Sequence, residues 1–396
     1  MSPRHALLPL AVAATLVAPA GALAAKAPLK APGGTAFYTP PASALKGVHG
    51  TLIWSRKAPG AVKLPSASQS TNVLYRSTGV DGKAIAVSGT VDIPRGKAPK
   101  GGWPMISWAH GTTGIADVCA PSRDAASSPA HGYIAYAYPT LDKFLKAGYA
   151  VLRTDYAGLG TAGSHPYLIG RSEGRSVIDI ARAARALDPR VGRTWAIAGH
   201  SQGGHAALWA AADAKRWAPE LTMRGVVAFA PASHILDEVK LAKSLTSPSG
   251  LSGLGSLLVT GAAAADPKID LQKLLTPEAA ALVPQVEQKC LGQLSAPDSW
   301  GALAPAQIVR DDADTTELYA TLAANDPGTL HFTSPVEIVQ GDKDTTVFPS
   351  FTDALVKQLK ASGASLTYDV LPGVQHGPVV EKGATKALAF FKKRLR

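Results

Sequence analysis

The chain has 396 residues, is 46% hydrophobic and 17% charged, and carries a formal net charge of +11. That hydrophobic share sustains a sizeable core and excludes a chain that is disordered throughout. The basic residues are scattered except for FFKKRLR at the end. No aromatic-interleaved basic patch accompanies them, so nucleic acid is not an expected partner, and the charge implies only a tendency to adhere to anionic surfaces.

In chain order, MSPRHALLPLAVAATLVAPAGALAAK opens with basic Arg4, continues as an apolar run and reaches Ala22-Leu23-Ala24. This is the pattern of a secretory signal peptide over residues 1–24, cleaved after Ala24, and the expected location is extracellular, or periplasmic in transit. Residues 25 to about 70, rich in Pro, Ala and Ser, read as an irregular leader packed on the domain. NVLYRSTGVDGKAIAVSGTVDIP (72–94) then reads as an antiparallel hairpin at a sheet edge, turning at Asp81-Gly82. WPMISWAHG (103–111) is a buried strand. FLKAGYAVLRTDYAGLG (144–160) is a helix end, a glycine stop and another strand. SEGRSVIDIARAARALDP (172–189) is a helix with Val177, Ile178, Ala181 and Ala184 on one face, stopped at Pro189. Strand TWAIAGH (194–200), helix GGHAALWAAADA (203–214) and strand RGVVAFAP (224–231) follow. The alternation predicts an α/β domain with a mostly parallel sheet and helices on both faces.

The alternation lapses over residues 232–334, where helical pieces are broken by Pro and Ser. Within it LSGLGSLLVTGAAAA is too short and too rich in glycine to span a bilayer. It resumes as strand PVEIVQG (335–341), helix SFTDALVKQLKASG (350–363), strand SLTYDVLPG (365–373) and a final helix from Pro378. The expected organisation is one core domain, 25–231 with 335–396, carrying a helical cap insertion over 232–334.

The chemistry centres on Gly199-His200-Ser201-Gln202-Gly203, where a strand turns directly into a helix. Small residues on either side let the chain turn sharply and lift the Ser201 hydroxyl clear of the sheet at a helix N-terminus. A serine hydroxyl is a poor nucleophile without a base, and the base needs an acid to orient it. In such a fold the chain order is Ser, acid, His. Asp344 follows the strand at 335–341 with Gly-x-x-Asp spacing; Asp342, in the same loop, is its rival. His376 lies in the loop after the last strand. An oxyanion hole would use the N–H of Gln202 and one from WAHGTTG (108–114), with Thr112 preferred over Gly111 and Thr113 and His110 fixing the loop. Gly158-x-Gly160-x-x-Gly163 matches a dinucleotide fingerprint, but Pro166 interrupts any helix after it, and Asp155 and Tyr156 read as ordering the active-site side. His205 is expected to pack in the core and His165 to line the pocket. No metal-ligand spacing and no cofactor motif are present. Cys119 and Cys290, the only cysteines, suggest one disulfide in an exported chain, with two buried thiols as the alternative.

AHGTTG followed by CAPS, DYAGLG with HPYL, GHSQGGHAALWA, and VVAFAPAS resemble, in that order, the secreted lipase/esterase family of the α/β-hydrolase superfamily. The resemblance covers roughly residues 100–235 and 335–380. It implies the α/β-hydrolase fold, Ser201 as nucleophile, Asp344 as acid, His376 as base, no cofactor, and a cap over 232–334 that covers the pocket and sets acyl and alcohol preference. It also implies a Cys119–Cys290 disulfide tying the oxyanion-loop side to the cap. The expectation is a monomeric ester hydrolase with transient contact to lipid or cell-wall surfaces, acting on lipid or, as some relatives do, plant cell-wall esters. Two other readings are a serine peptidase of the same fold, whose free-amine site or propeller domain is not evident, and a secreted non-catalytic lipid or glycan binder.

Overall fold

The apolar runs that alternate with helices assemble into one sheet. The computed structural model describes residues 30–395; the signal peptide expected over 1–24 lies outside the described residues. Nine strands run as β1 (Leu52–Lys57), β2 (Gln69–Thr78), β3 (Ala84–Ile93), β4 (Trp103–Ala109), β5 (Ala150–Thr154), β6 (Val191–His200), β7 (Thr222–Phe229), β8 (Val336–Gly341) and β9 (Leu366–Leu371). Their order in the sheet is β1-β2-β3-β5-β4-β6-β7-β8-β9. β1, β2, β3 and β5 pair antiparallel in succession, and β5-β4-β6-β7-β8-β9 pair parallel. This is the α/β-hydrolase arrangement expected from the sequence.

The parallel strands read as apolar runs because helices cover both faces. On one face Val177, Ile178, Ala181 and Ala184 of helix Gly170–Leu187 and Ala206, Ala207 and Ala210 of helix Gln202–Trp217 pack on Met105, Leu152, Trp195 and Ile197. On the other, Leu141 and Phe144 of helix Tyr138–Lys146 and Phe390 and Phe391 of helix Val379–Arg394 cover Ile106, Val151, Ala198 and Val227.

Two expectations for the N-terminal half are corrected. The stretch before residue 70 is not irregular throughout, because Leu52–Lys57 forms the edge strand β1. The β2–β3 hairpin is therefore internal to the sheet. Between β7 and β8 the chain forms helices Ile235–Ala242, Leu251–Ala265 and Thr316–Ala324 with shorter turns. These segments pack around Leu257, Leu294, Trp300, Ile308 and Leu318, in a cluster that also takes in Ile115, Tyr167 and Leu168. Among the described residues no helix is long and apolar enough to cross a membrane. Gly158, Gly160 and Gly163 lie in a loop and the next helix starts only at Gly170, whereas a dinucleotide site needs the glycine loop to open directly into a helix.

Candidate active site

β6 ends at His200 and a helix begins at Gln202, so the whole reversal falls on Ser201. Its backbone takes φ 58° and ψ −121°, a strained region costing about 1–3 kcal/mol for a residue with a side chain. The flanking glycines are obligatory. A Cβ on Gly199 would lie 1.9 Å from the Gly203 carbonyl oxygen, and one on Gly203 would lie 1.9 Å from that of Ala109. The turn is pinned by the Ser201 N–H donating to the Phe229 carbonyl at 2.9 Å, and by the Ser201 carbonyl accepting from the N–H groups of His205 at 3.1 Å and Ala232 at 3.2 Å.

His376 lies in the loop between β9 and the last helix. Its Nδ1 donates to Asp344 Oδ2 at 2.7 Å. The Asp344 carboxylate is buried, and Oδ1 accepts the backbone N–H groups of Thr346 and Val347 at 2.9 Å each while Oδ2 also accepts from Gln340 Nε2 at 3.1 Å. Its rival Asp342 is exposed and accepts instead from the Gly373 N–H at 2.6 Å. The structure thus brings Asp344, and not Asp342, to His376. With Nδ1–H held by a carboxylate, the free electron pair of the imidazole is on Nε2.

His200, beside the serine, connects the two halves of the site. Its Nε2 donates to the His376 carbonyl at 3.1 Å, and the two rings lie 4.5 Å apart. A donating Nε2 leaves Nδ1 as acceptor for the Tyr136 hydroxyl. Burial, then the proximity of His376, holds the His200 imidazole well below the usual histidine range, so it is neutral. Nothing local in the sequence marks His200 as a bridging group or Tyr136 as its partner.

The loop after β4 carries the other expected groups. The Tyr156 hydroxyl donates to the His110 carbonyl at 2.8 Å, and His110 Nδ1 donates to the Gly111 carbonyl at 2.7 Å. Burial lowers the His110 imidazole to about 4, so it is a neutral strut. Thr112 Oγ1 hydrogen-bonds the Tyr167 hydroxyl at 2.7 Å. Among the described residues neither the Thr112 nor the Thr113 N–H has a backbone acceptor, although both residues are buried. Asp155 lies beneath, buried, accepting from the hydroxyls of Ser88 and Ser122 and from the Ser122 N–H. Cys119 and Cys290 are disulfide-bonded, with their Cα atoms 5.6 Å apart. Next to the bridge the Leu291 N–H donates to the Thr113 carbonyl at 2.9 Å.

Gln202 is anchored from behind. Its Nε2 donates to Glu173 Oε1 at 2.7 Å and to His165 Nε2 at 2.8 Å. Glu173, fully buried, also accepts from the Leu168 N–H at 3.0 Å and from His205 Nδ1 at 3.0 Å. His205 Nε2 donates to the Asn325 carbonyl at 2.7 Å. His205 is therefore packed as expected. His165 is corrected: it is fully buried, its nitrogens are committed to Gln202 and to the Ala157 carbonyl, and it is not in the lining of the cavity described below. Glu173 was missed, since a glutamate in the first turn of a helix reads as a solvated charge.

A cavity of about 370 Å³ opens between the segments following β7 and the loop of Asp344. Leu241, Leu254, Leu258 and Leu318 form much of its wall, and Thr346 and Phe348 border it on the Asp344 side; neither Ser201 nor His376 is in its lining. Among the described residues no group of three or more His, Cys, Asp or Glu side chains is arranged to hold a metal ion.

Residues 133–396 match the family model described as Secretory lipase. The chain is 30% identical to Lipase A of Moesziomyces aphidis over 278 residues, which is 67% of this chain and 56% of that one, so it spans little more than half the length of that relative. It is 27% identical, over 84% of its own length and 75% of the other, to a protein of Mycobacterium tuberculosis named a probable inactive lipase. Its fold is similar to the crystal structure of Candida antarctica lipase A in its closed state, with a TM-score of 0.75 over 90% of this chain and 84% of that one at 23% identity.

Proposed function

The chain belongs to the secretory lipase family, and on that premise we propose that it is an exported serine carboxylic-ester hydrolase. The observation that carries the reading is the pairing of His376 with the buried Asp344 carboxylate, 2.7 Å apart, hydrogen-bonded through His200 to the strained turn of Ser201. Ser201 Oγ attacks the ester carbonyl while His376 Nε2 takes its proton; the imidazolium is stabilised by Asp344 and returns the proton to the leaving alcohol. Water, deprotonated by His376, then attacks the acyl-enzyme, releasing the acid and restoring Ser201. The N–H groups of Gln202 and Thr112 hold the oxyanion of each tetrahedral intermediate. No cofactor takes part. Residues 232–334 serve as the cap, and the apolar cavity beneath them takes an acyl chain from lipid or wall-type esters. The family and the disulfide support export.

The test is hydrolysis of p-nitrophenyl esters from two to sixteen acyl carbons by wild type and Ser201→Ala. Loss of activity and of fluorophosphonate labelling in Ser201→Ala is the expected result, and the chain-length optimum separates lipase from short-chain esterase. A well-folded wild type without activity or labelling would sink the proposal and favour a binder, in keeping with the relative named inactive.

A further inference from the structure

A buried carboxyl oxygen of a residue lining the apolar cavity has no partner among the described residues. Glu238 lies on helix Ile235–Ala242, and its carboxyl reaches a wall formed largely by Leu241, Leu254, Leu258 and Leu318. Its Oε1 is sealed from solvent and accepts no hydrogen bond among the described residues. The cation on the same wall, Lys243, is engaged with Asp311 at 3.3 Å. An unpaired carboxyl in an apolar cavity is costly unless a ligand supplies the missing hydrogen bonds.

We propose that Glu238 is a specificity-determining residue, hydrogen-bonding a hydroxyl carried on the acyl chain of the substrate. The proposal rests on the ester-hydrolase reading and narrows its substrate class to hydroxyacyl esters. Burial first, then the charges of Asp344 and Asp326, push the Glu238 carboxyl up to about 8, so it is a neutral acid at pH 7. A neutral carboxyl offers one donor and one acceptor site, and a hydroxyl offers the same pair. An unsubstituted alkyl chain in this cavity leaves both unused. Thr345 and Thr346, which directly follow Asp344, line the same cavity as Glu238, so the cavity borders the loop that holds His376.

The experiment compares kcat/KM at pH 7 for the p-nitrophenyl ester of hexadecanoic acid and for its monohydroxylated counterparts, with the hydroxyl moved along the chain. Wild type, Glu238→Leu and Glu238→Gln are assayed as the intact secreted chain. The expected result is that wild type favours at least one hydroxy ester over the parent by about tenfold, the scale of one buried hydrogen bond. Glu238→Leu abolishes that preference and turns over the parent ester faster. Glu238→Gln, which keeps a neutral donor and acceptor, retains most of it. A wild-type ratio near one for every isomer, or a preference unchanged in Glu238→Leu, overturns the proposal while leaving the parent ester hydrolysed. Failure of wild type on every ester sinks the ester-hydrolase reading itself.

Discussion

Asp342 and Asp344 stand two residues apart after β8, and the fold separates them completely. Asp344 turns inward under two backbone N–H groups and meets His376, whereas Asp342 closes the neighbouring turn at the Gly373 N–H. Asp344→Asn should lower kcat by about 10³-fold or more with little change in KM, because an amide no longer selects the tautomer with Nε2 free. Asp342→Asn should stay within about threefold of wild type, an exposed carboxylate carrying little. Steady-state kinetics of the two variants side by side decide it, and equal losses would refute the assignment. The spacing after β8 already favoured Asp344, and the glycine-serine-glycine turn was legible because its constraints are local. His200 and Tyr136 were not, since their pairing is made across 64 positions of chain.

Helix Gly170–Leu187 does more than cover the sheet. From its first turn Glu173 reaches the side chain of Gln202, the N–H of Leu168 and the ring of His205, which in turn holds the Asn325 carbonyl in the segment before β8. One buried carboxylate thus fixes Gln202, the residue that follows Ser201, and registers it against the segment before β8. Glu173→Ala strands three buried donors and should destabilise the protein by about 3–5 kcal/mol. Glu173→Gln keeps an acceptor toward Gln202, and should fold with a milder loss of stability and a kcat lowered about tenfold at near-constant KM. Urea unfolding together with the kcat and KM of both variants is the check; a fall confined to stability would make Glu173 only structural. At this scale the alternation of strand and helix was readable from Trp103 onward because each buried strand is an apolar run. The edge strand β1 was not readable: Leu52-Ile53-Trp54 is a short apolar run within a Pro- and Ala-rich stretch, and its pairing with β2 includes a shift of register.

Across the whole molecule, one covalent link and one hydrogen bond join the insertion to the loop that carries Thr112. The Cys119–Cys290 bridge closes 171 positions of chain, which in the chain-entropy model stabilises by about 5 kcal/mol. Beside it the Leu291 N–H holds the Thr113 carbonyl. Reduction, or the double change Cys119→Ser and Cys290→Ser, should lower the melting temperature and also lower kcat, because the loop of Thr112, proposed to hold the oxyanion, loses its anchor. Calorimetry and ester kinetics on the oxidised, reduced and double-serine forms are the measurement. A reduced form as active as the oxidised one at a temperature where both are folded would show that the bridge acts on stability alone.

That bridge also makes the catalytic shape depend on place. A newly made chain in a reducing cytoplasm already holds Ser201, Asp344 and His376 in its sequence, yet without the Cys119–Cys290 link the loop of Thr112 keeps only the Leu291 hydrogen bond and side-chain packing to residues 232–334. On the proposed ester-hydrolase reading, esters of the producing cell would meet a slacker, less efficient form, and the taut form would arise only on oxidation. A bond whose first effect is mechanical would then be a late assembly step, completed by the redox chemistry of the compartment in which it forms.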